Sequence, residues 1–386
     1  MCAKLGLNML VYKAQADWLF QQLEESYDVN LDLLFRVTII SMDLCASIRA
    51  CMRYENSYER RYHIKYLIVN LYEAYTACFN EASDKKSYIA KWVAHNSCIK
   101  EDEDYMALCK ELENLKVQLH DDIKVSRNSY AHYDDDPIDT VKSILSINSE
   151  ERPTKLCCDL LKVFEMIKQV CEKQHKMVIE ESALSVSYAN IIYSNIRNQL
   201  RNNKALIKCV NEVSQNTEQR LRKASRIFQC FEKFGGENQK LVLLLMRIHI
   251  LIQIMRADFA SAIKACIYAD SDVECVLQIR RLTIIRQEGI GHLQELWSQI
   301  PIKYINTEDE AHIDAIKNMV IKGQRNKLLH YRYQNKDYIK FCYAFCSNGY
   351  NIIDGLTDGV PFLNELNALQ LSLTHKLLKV RNKIAS

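Results

Sequence analysis

Only one glycine, Gly6, precedes residue 235, and the whole chain of 386 residues holds nine glycines and four prolines. Sheets need a turn every few residues and lean on glycine, proline and asparagine to make it. Punctuation this sparse is compatible with long helices joined by short turns. Windows such as TKLCCDLLKVFEMIKQVCEKQ (154–174) agree, with apolar residues recurring at three- and four-residue spacing. The expected breaks are the polar or Gly/Pro-containing stretches at 83–87, 134–137, 148–153, 234–238, 300–310 and 354–361. The expected fold class is all-α.

The length allows two units of ordinary size. Hydrophobic residues at 48% and charged residues at 26% fit a globular protein. The most apolar stretch, LVLLLMRIHILIQIM (241–255), is too short for a membrane span and carries Arg247 and His249, so it reads as a buried helix. The N-terminal residues lack the order of a secretory leader, and a cytoplasmic location is expected. The 15 cysteines are odd in number and scattered, without C-x-x-C or paired Cys/His spacing. They read as small core hydrophobes of a reduced protein, with no metal site and no cofactor expected.

The chain resembles itself. LLFRVTII (33–40) can be laid over LLMRIHIL (244–251), and residues 47–75 run beside 262–290 without a gap. In the second alignment Ile48 faces Ile263, Arg49 faces Lys264, Ala50 faces Ala265 and Cys51 faces Cys266. Glu59 faces Glu274, and Glu73 faces Glu288. After these segments each half carries one more shared pattern: RNSYAHY at 127–133 and RNKLLHY at 325–331. The common order reads as two divergent copies of one helical unit, residues 1–180 and 181–386, with connecting helices over about 181–235.

Arg-Asn-x-x-x-His on a helix of a compact bundle resembles the HEPN superfamily. The motifs are Arg127-Asn128…His132 and Arg325-Asn326…His330, each followed by a tyrosine, Tyr133 and Tyr331. The resemblance implies a metal-independent endoribonuclease in which two motifs meet across a two-fold axis. A chain carrying both would be such a dimer fused into one polypeptide, an intramolecular pseudo-dimer. It further implies Arg127, His132, Arg325 and His330 as catalytic residues, with Asn128, Asn326, Tyr133 and Tyr331 auxiliary. Glu73 and Glu288 could be the polar residues that family members often carry on an earlier helix. The alternative for both glutamates is a solvent-facing helical acid. Toxin–antitoxin systems, phage defence and RNA processing are the settings the family suggests, with an antitoxin or other regulatory partner.

The chemistry can be argued from the residue types. Cleavage of RNA through its own 2′-hydroxyl needs a base for that proton, an acid for the leaving 5′-oxygen, and positive charge on the phosphorane. Histidine titrates near neutrality and suits both proton transfers. Arginine stays charged and can meet two phosphate oxygens. Residues five apart on an ideal helix lie about 140° from one another, so each Arg–His pair must converge through arginine's reach across a cleft.

Two further features bear on partners. Between Arg197 and Arg226 stand eight Lys/Arg against two Glu. In that strip Arg197, Arg201, Arg220, Arg222, Lys223 and Arg226 could track RNA phosphates, or form a solvated helix face. The run Asp134-Asp135-Asp136 reads as a helix end leading into Pro137 rather than a metal site. Single-stranded or looped RNA is the expected partner, no membrane is expected, and further homodimerisation stays open. A non-catalytic helical module binding RNA, a nucleotide or a protein is the rival reading.

Overall fold

The computed structural model describes residues 2–54, 57–79, 87–96, 101–131, 136–175, 197–234, 238–319 and 359–385. Among them the chain is all-α, with no strand, as the scarcity of turn residues requires. No helix among them is long and apolar enough to cross a membrane.

The first half contributes α1 (Cys2–Glu25), α2 (Val29–Arg53), α3 (Ser57–Phe79), α4 (Tyr88–His95), α5 (Glu103–Ala131), α6 (Pro137–Ser146) and α7 (Glu151–His175). Then follow α8 (Lys204–Ser214), α9 (Thr217–Phe234), α10 (Gln239–Ile267), α11 (Asp272–Ser298), α12 (Thr307–Asn318) and α13 (Gly359–Ala385). Side-chain oxygens mark several starts by accepting orphan backbone N–H groups. Asp28 caps α2, Ser271 caps α11, and Asn306 with Asp309 forms a reciprocal capping box on α12. The expected break at 134–137 resolves as Asp136 capping α6 with Pro137 in its first turn. The second Asp136 oxygen takes Arg247 on α10 at 3.1 Å, so this aspartate ties two helices together.

In the described part of the connecting region, 197–234, the helix is interrupted at Asn203 and at Gln215–Asn216. Asn203 turns its side chain onto Leu206 N as a new cap, and Asn216 adopts φ 58°, a left-handed conformation that asparagine tolerates.

Helices α2 and α10 lie at the centre. Both are buried on nearly every side along their C-terminal halves, as helices apolar all round should be. α1, α3 and α7 pack on α2; α8, α9, α11 and α13 pack on α10. The two groups meet where α2 touches α11 and α3 touches α10. Buried apolar residues from Leu5 on α1 to Leu373 on α13 form one connected core. Close helix approach explains two glycines. A Cβ on Gly6 would collide with the Arg49 guanidinium, and one on Gly289 would lie 2.7 Å from the Met255 side chain.

Candidate functional site

The backbone of α5 carries Arg127 and Asn128 near its C-terminal end. Their side chains lie outside the described residues, as do His132 and Tyr133 and the entire second motif, Arg325, Asn326, His330 and Tyr331. α5 itself packs on α3, α7 and α6. The described residues therefore define the frame on which the first motif is mounted.

That frame is organised around a seam of ion pairs between α2/α3 and α10/α11. Asp258 on α10 accepts from Lys65 Nζ on α3 at 3.0 Å, and Asp43 on α2 pairs with Arg280 on α11. Lys264 on α10 donates to Glu59 on α3 at 2.6 Å, and Arg49 on α2 meets Glu274 on α11 at 3.4 Å. The numbering is systematic. Asp43 and Asp258, Lys65 and Arg280, Arg49 and Lys264, and Glu59 and Glu274 are each separated by the same 215 positions. Each acid of one half thus meets the cation of the other half, and the reverse contact is also made. Such exchange of partners is what an isologous two-fold contact requires.

This spacing also corrects a register. α2 and α10 run unbroken through the aligned region, so the offset of the ungapped segment carries back along both helices. Residues 33–40 then correspond to 248–255, one helical turn away from the segment 244–251 that the apolar pattern suggested. Runs of Leu, Ile and Val look alike after a shift of four, whereas charged partners do not.

Other polar groups fill the seam asymmetrically. Arg281 donates to Ser47 Oγ at 2.6 Å and sits 3.2 Å from His63 Nδ1, while Tyr58 donates to Asp258 at 2.8 Å. His63 stacks on Tyr54 with ring centroids 4.8 Å apart. Burial, then the nearby charges of Arg281 and Arg53, hold the His63 pKa well below the ordinary value. His63 is therefore neutral at physiological pH and poorly suited to proton transfer there. Burial, then Asp258, with Glu288 also contributing, pushes the Tyr66 phenol well above its usual range, while Arg281 acts in the opposite direction.

No known family model, curated protein or solved structure matches the chain. The assignment of chemistry therefore depends on the residues themselves.

Glu73 is fully buried and Glu288 half-buried, so the solvent-facing reading fails for Glu73. Glu288, on α11, acts electrostatically on Tyr66 of α3, across the seam. The basic strip divides. Arg201 donates to the carbonyls of Ile267 and Ala269 at 2.8 and 2.9 Å, and Arg197 to that of Asp270 at 2.9 Å. These two cap the C-terminal end of α10 and are occupied by the protein's own backbone. Arg220, Arg222, Lys223 and Arg226 are exposed on α9, with Arg222 bonded to Glu218 at 2.6 Å. Among the described residues no cluster of His, Cys, Asp and Glu is arranged to hold a metal ion. Nor is the groove of about 880 Å³ beside α3 and α7 a uniform charge site: its Arg60 pairs with Glu150 and its Arg61 with Glu218.

Sequence reasoning flagged Arg49, Lys264, Glu59 and Glu274 as alignment matches but missed their pairing. It also passed over Asp43/Asp258 and Lys65/Arg280. The signal was present, since all four acid and base positions keep their charge type at one fixed offset.

Proposed function

We propose that this chain is a HEPN-like, metal-independent endoribonuclease, an intramolecular pseudo-dimer whose single composite site is built from both halves. The observation that carries the reading is the exchange of ion-pair partners at one constant offset. It supports two related halves packed as a two-fold pair, the arrangement in which a motif carried twice can serve one site. His132 and His330 act as base and acid, and Arg127 and Arg325 hold the phosphate as charge develops. The products are a 2′,3′-cyclic phosphate and a 5′-hydroxyl. DNA, lacking the 2′-hydroxyl, binds without being cut. Use as a toxin or phage-defence effector would require control by a regulatory partner.

The test is cleavage of a labelled single-stranded RNA in EDTA by the wild type, His132→Ala, His330→Ala and the double variant. Cutting that survives EDTA and collapses in either single variant is the expected result. Equal residual activity in the double variant would refute the assignment. The exposed cations on α9 favour a second reading, a non-catalytic RNA-binding module, for which the wild type binds several RNAs and cuts none.

A further inference from the structure

The seam holds one contact that its two-fold counterpart cannot reproduce. At the 215-position offset His63 on α3 corresponds to Gln278 on α11, and Tyr66 on α3 corresponds to Arg281 on α11. His63 faces Arg281 across the seam, with Nδ1 3.2 Å from Nη1. The equivalent positions on the other side, Gln278 and Tyr66, carry no charge at neutral or acid pH. Both members of the charged contact are buried, His63 at 0% exposure and Arg281 at 2%. Among the described residues Arg281 touches neutral groups: Ser47 Oγ at 2.6 Å, the face of Tyr66, and His63 itself.

Donors and acceptors fix the state of the ring. A guanidinium N–H can only donate, so Nδ1 accepts and the proton of neutral His63 sits on Nε2. Nε2 is buried without a hydrogen-bond partner. Protonation would set an N–H on Nδ1 against the Arg281 N–H, two donors and two like charges in a dry site. No acceptor waits at Nε2 to compensate. The surroundings give no relief. Tyr54, at the end of α2, stacks on the ring, and Tyr62 meets it edge-on at 4.9 Å. Arg53 of α2 adds a second positive charge. The acids of the seam are engaged elsewhere: Glu274 of α11 by Arg49 and Arg53, Asp43 of α2 by Arg280. Glu59 of α3 is held by Lys264, and Asp258 of α10 by Lys65 and Tyr58. No other charged group among the described residues acts on the ring, from these helices or from those on the other faces of α3.

We propose that His63 and Arg281 form a proton-sensitive latch between the two halves, closed while His63 is neutral and released when the ring takes up a proton and expels Arg281. Release parts α3 from α11 on one side of the two-fold, because Gln278 and Tyr66 on the other side have nothing to titrate. The sign follows from burial, then Arg281 and Arg53, which hold the closed ring's pKa well below that of an open, hydrated histidine. The open form therefore binds the proton first. The latch is fully closed above pH ~6.5, and below it the open population grows by up to about tenfold per pH unit. Loss of a composite catalytic site on opening rests on the ribonuclease reading; the opening itself does not.

The test is amide hydrogen exchange on the full-length protein at pH 7.5 and pH 5.0, corrected for the intrinsic effect of pH on exchange. Between these values wild-type peptides from α3 and α11 should lose protection by about 10- to 30-fold, while α12, which carries none of the seam's ion pairs, serves as the reference. His63→Gln installs on α3 the residue that α11 already carries at position 278. It keeps a neutral acceptor for Arg281 and cannot be protonated, so its α3 and α11 peptides should stay protected at pH 5.0. Nitrogen-15 spectra of the wild-type histidine rings give a second readout that does not depend on how well the variant folds. A His63 ring that keeps Nδ1 unprotonated until the α3 and α11 amides open supports the latch. A ring that titrates near pH 6.5 with those amides still protected would overturn it. So would equal losses in wild type and His63→Gln, or a loss in α12 as large as in α3 and α11, which is unfolding of the whole chain.

Discussion

Replacing Asp258 with asparagine isolates the energetics of the seam. The carboxylate is fully buried, takes Tyr58 Oη at 2.8 Å on one oxygen and Lys65 Nζ at 3.0 Å on the other, and Lys65 is itself only 2% exposed. Asparagine keeps one acceptor oxygen and turns the other position into an N–H donor. It can keep Lys65 on its oxygen only by reversing the bond to Tyr58, whose Oη must then accept, and it removes the negative charge facing a buried ammonium. Breaking a buried pair in this way costs about 3–5 kcal/mol, a large part of the ~5–15 kcal/mol that holds a typical domain folded. Exposed Asp139, 2.8 Å from Lys142 with both side chains more than half exposed, provides the control. There Asp139→Asn should cost no more than about 0.5 kcal/mol. Removing both charges together, Asp258→Leu with Lys65→Met, should recover most of the loss, because no unmatched ion is then buried. Urea unfolding followed by circular dichroism gives all four values. A cost below about 1 kcal/mol for Asp258→Asn, or a double variant no better than the single one, would refute this account of the seam.

Three other outcomes are expected. Gly6→Ala should destabilise by about 1–3 kcal/mol despite alanine's better helix propensity, since the new methyl collides with the buried Arg49 guanidinium; thermal unfolding checks this. His249 is held neutral, with its folded pKa lowered to about 4 from 6.5, chiefly by burial and then by Arg256. The unfolded chain therefore takes up the proton first, so this contribution is complete above pH ~6.5 and lost as pH falls toward 4, by about 3 kcal/mol at most. Comparing the pH dependence of urea midpoints for the wild type and His249→Gln should show the variant flatter over that window. Exposed Cys230 should react quickly with a thiol reagent, and Cys230→Ser should remove one fast equivalent. Cys45 and Cys51, buried with thiol pKa values pushed up to about 12, should react only on unfolding.

The all-helical architecture was legible before any coordinates, because a helix satisfies its own backbone and needs only periodicity and an absence of breakers. The Asp136–Pro137 start and the 300–310 break were legible for the same reason: caps and turns are local chemistry. The apolar runs LLFRVTII and LLMRIHIL matched at an offset four residues short of the 215 positions that the ion-pair residues share, since a greasy helix matches itself after four residues. Arg197 and Arg201 read as part of a cationic strip, and nothing in their spacing announced that they would close the end of a helix some 70 residues away. Their neighbours on α9 have the same residue types and remain exposed.

Sequence by itself determined that the chain is helical and set Arg49 beside Lys264 and Glu59 beside Glu274 in one ungapped alignment. Only the tertiary structure decided that Arg49 meets Glu274 rather than Glu59, and that Lys65 meets Asp258 rather than Asp43. Charge type and spacing specify what a side chain needs but not where it finds it. Within either half an acid and a base of the right kind are available, and the choice between partners inside and across the halves is made by how four helices pack.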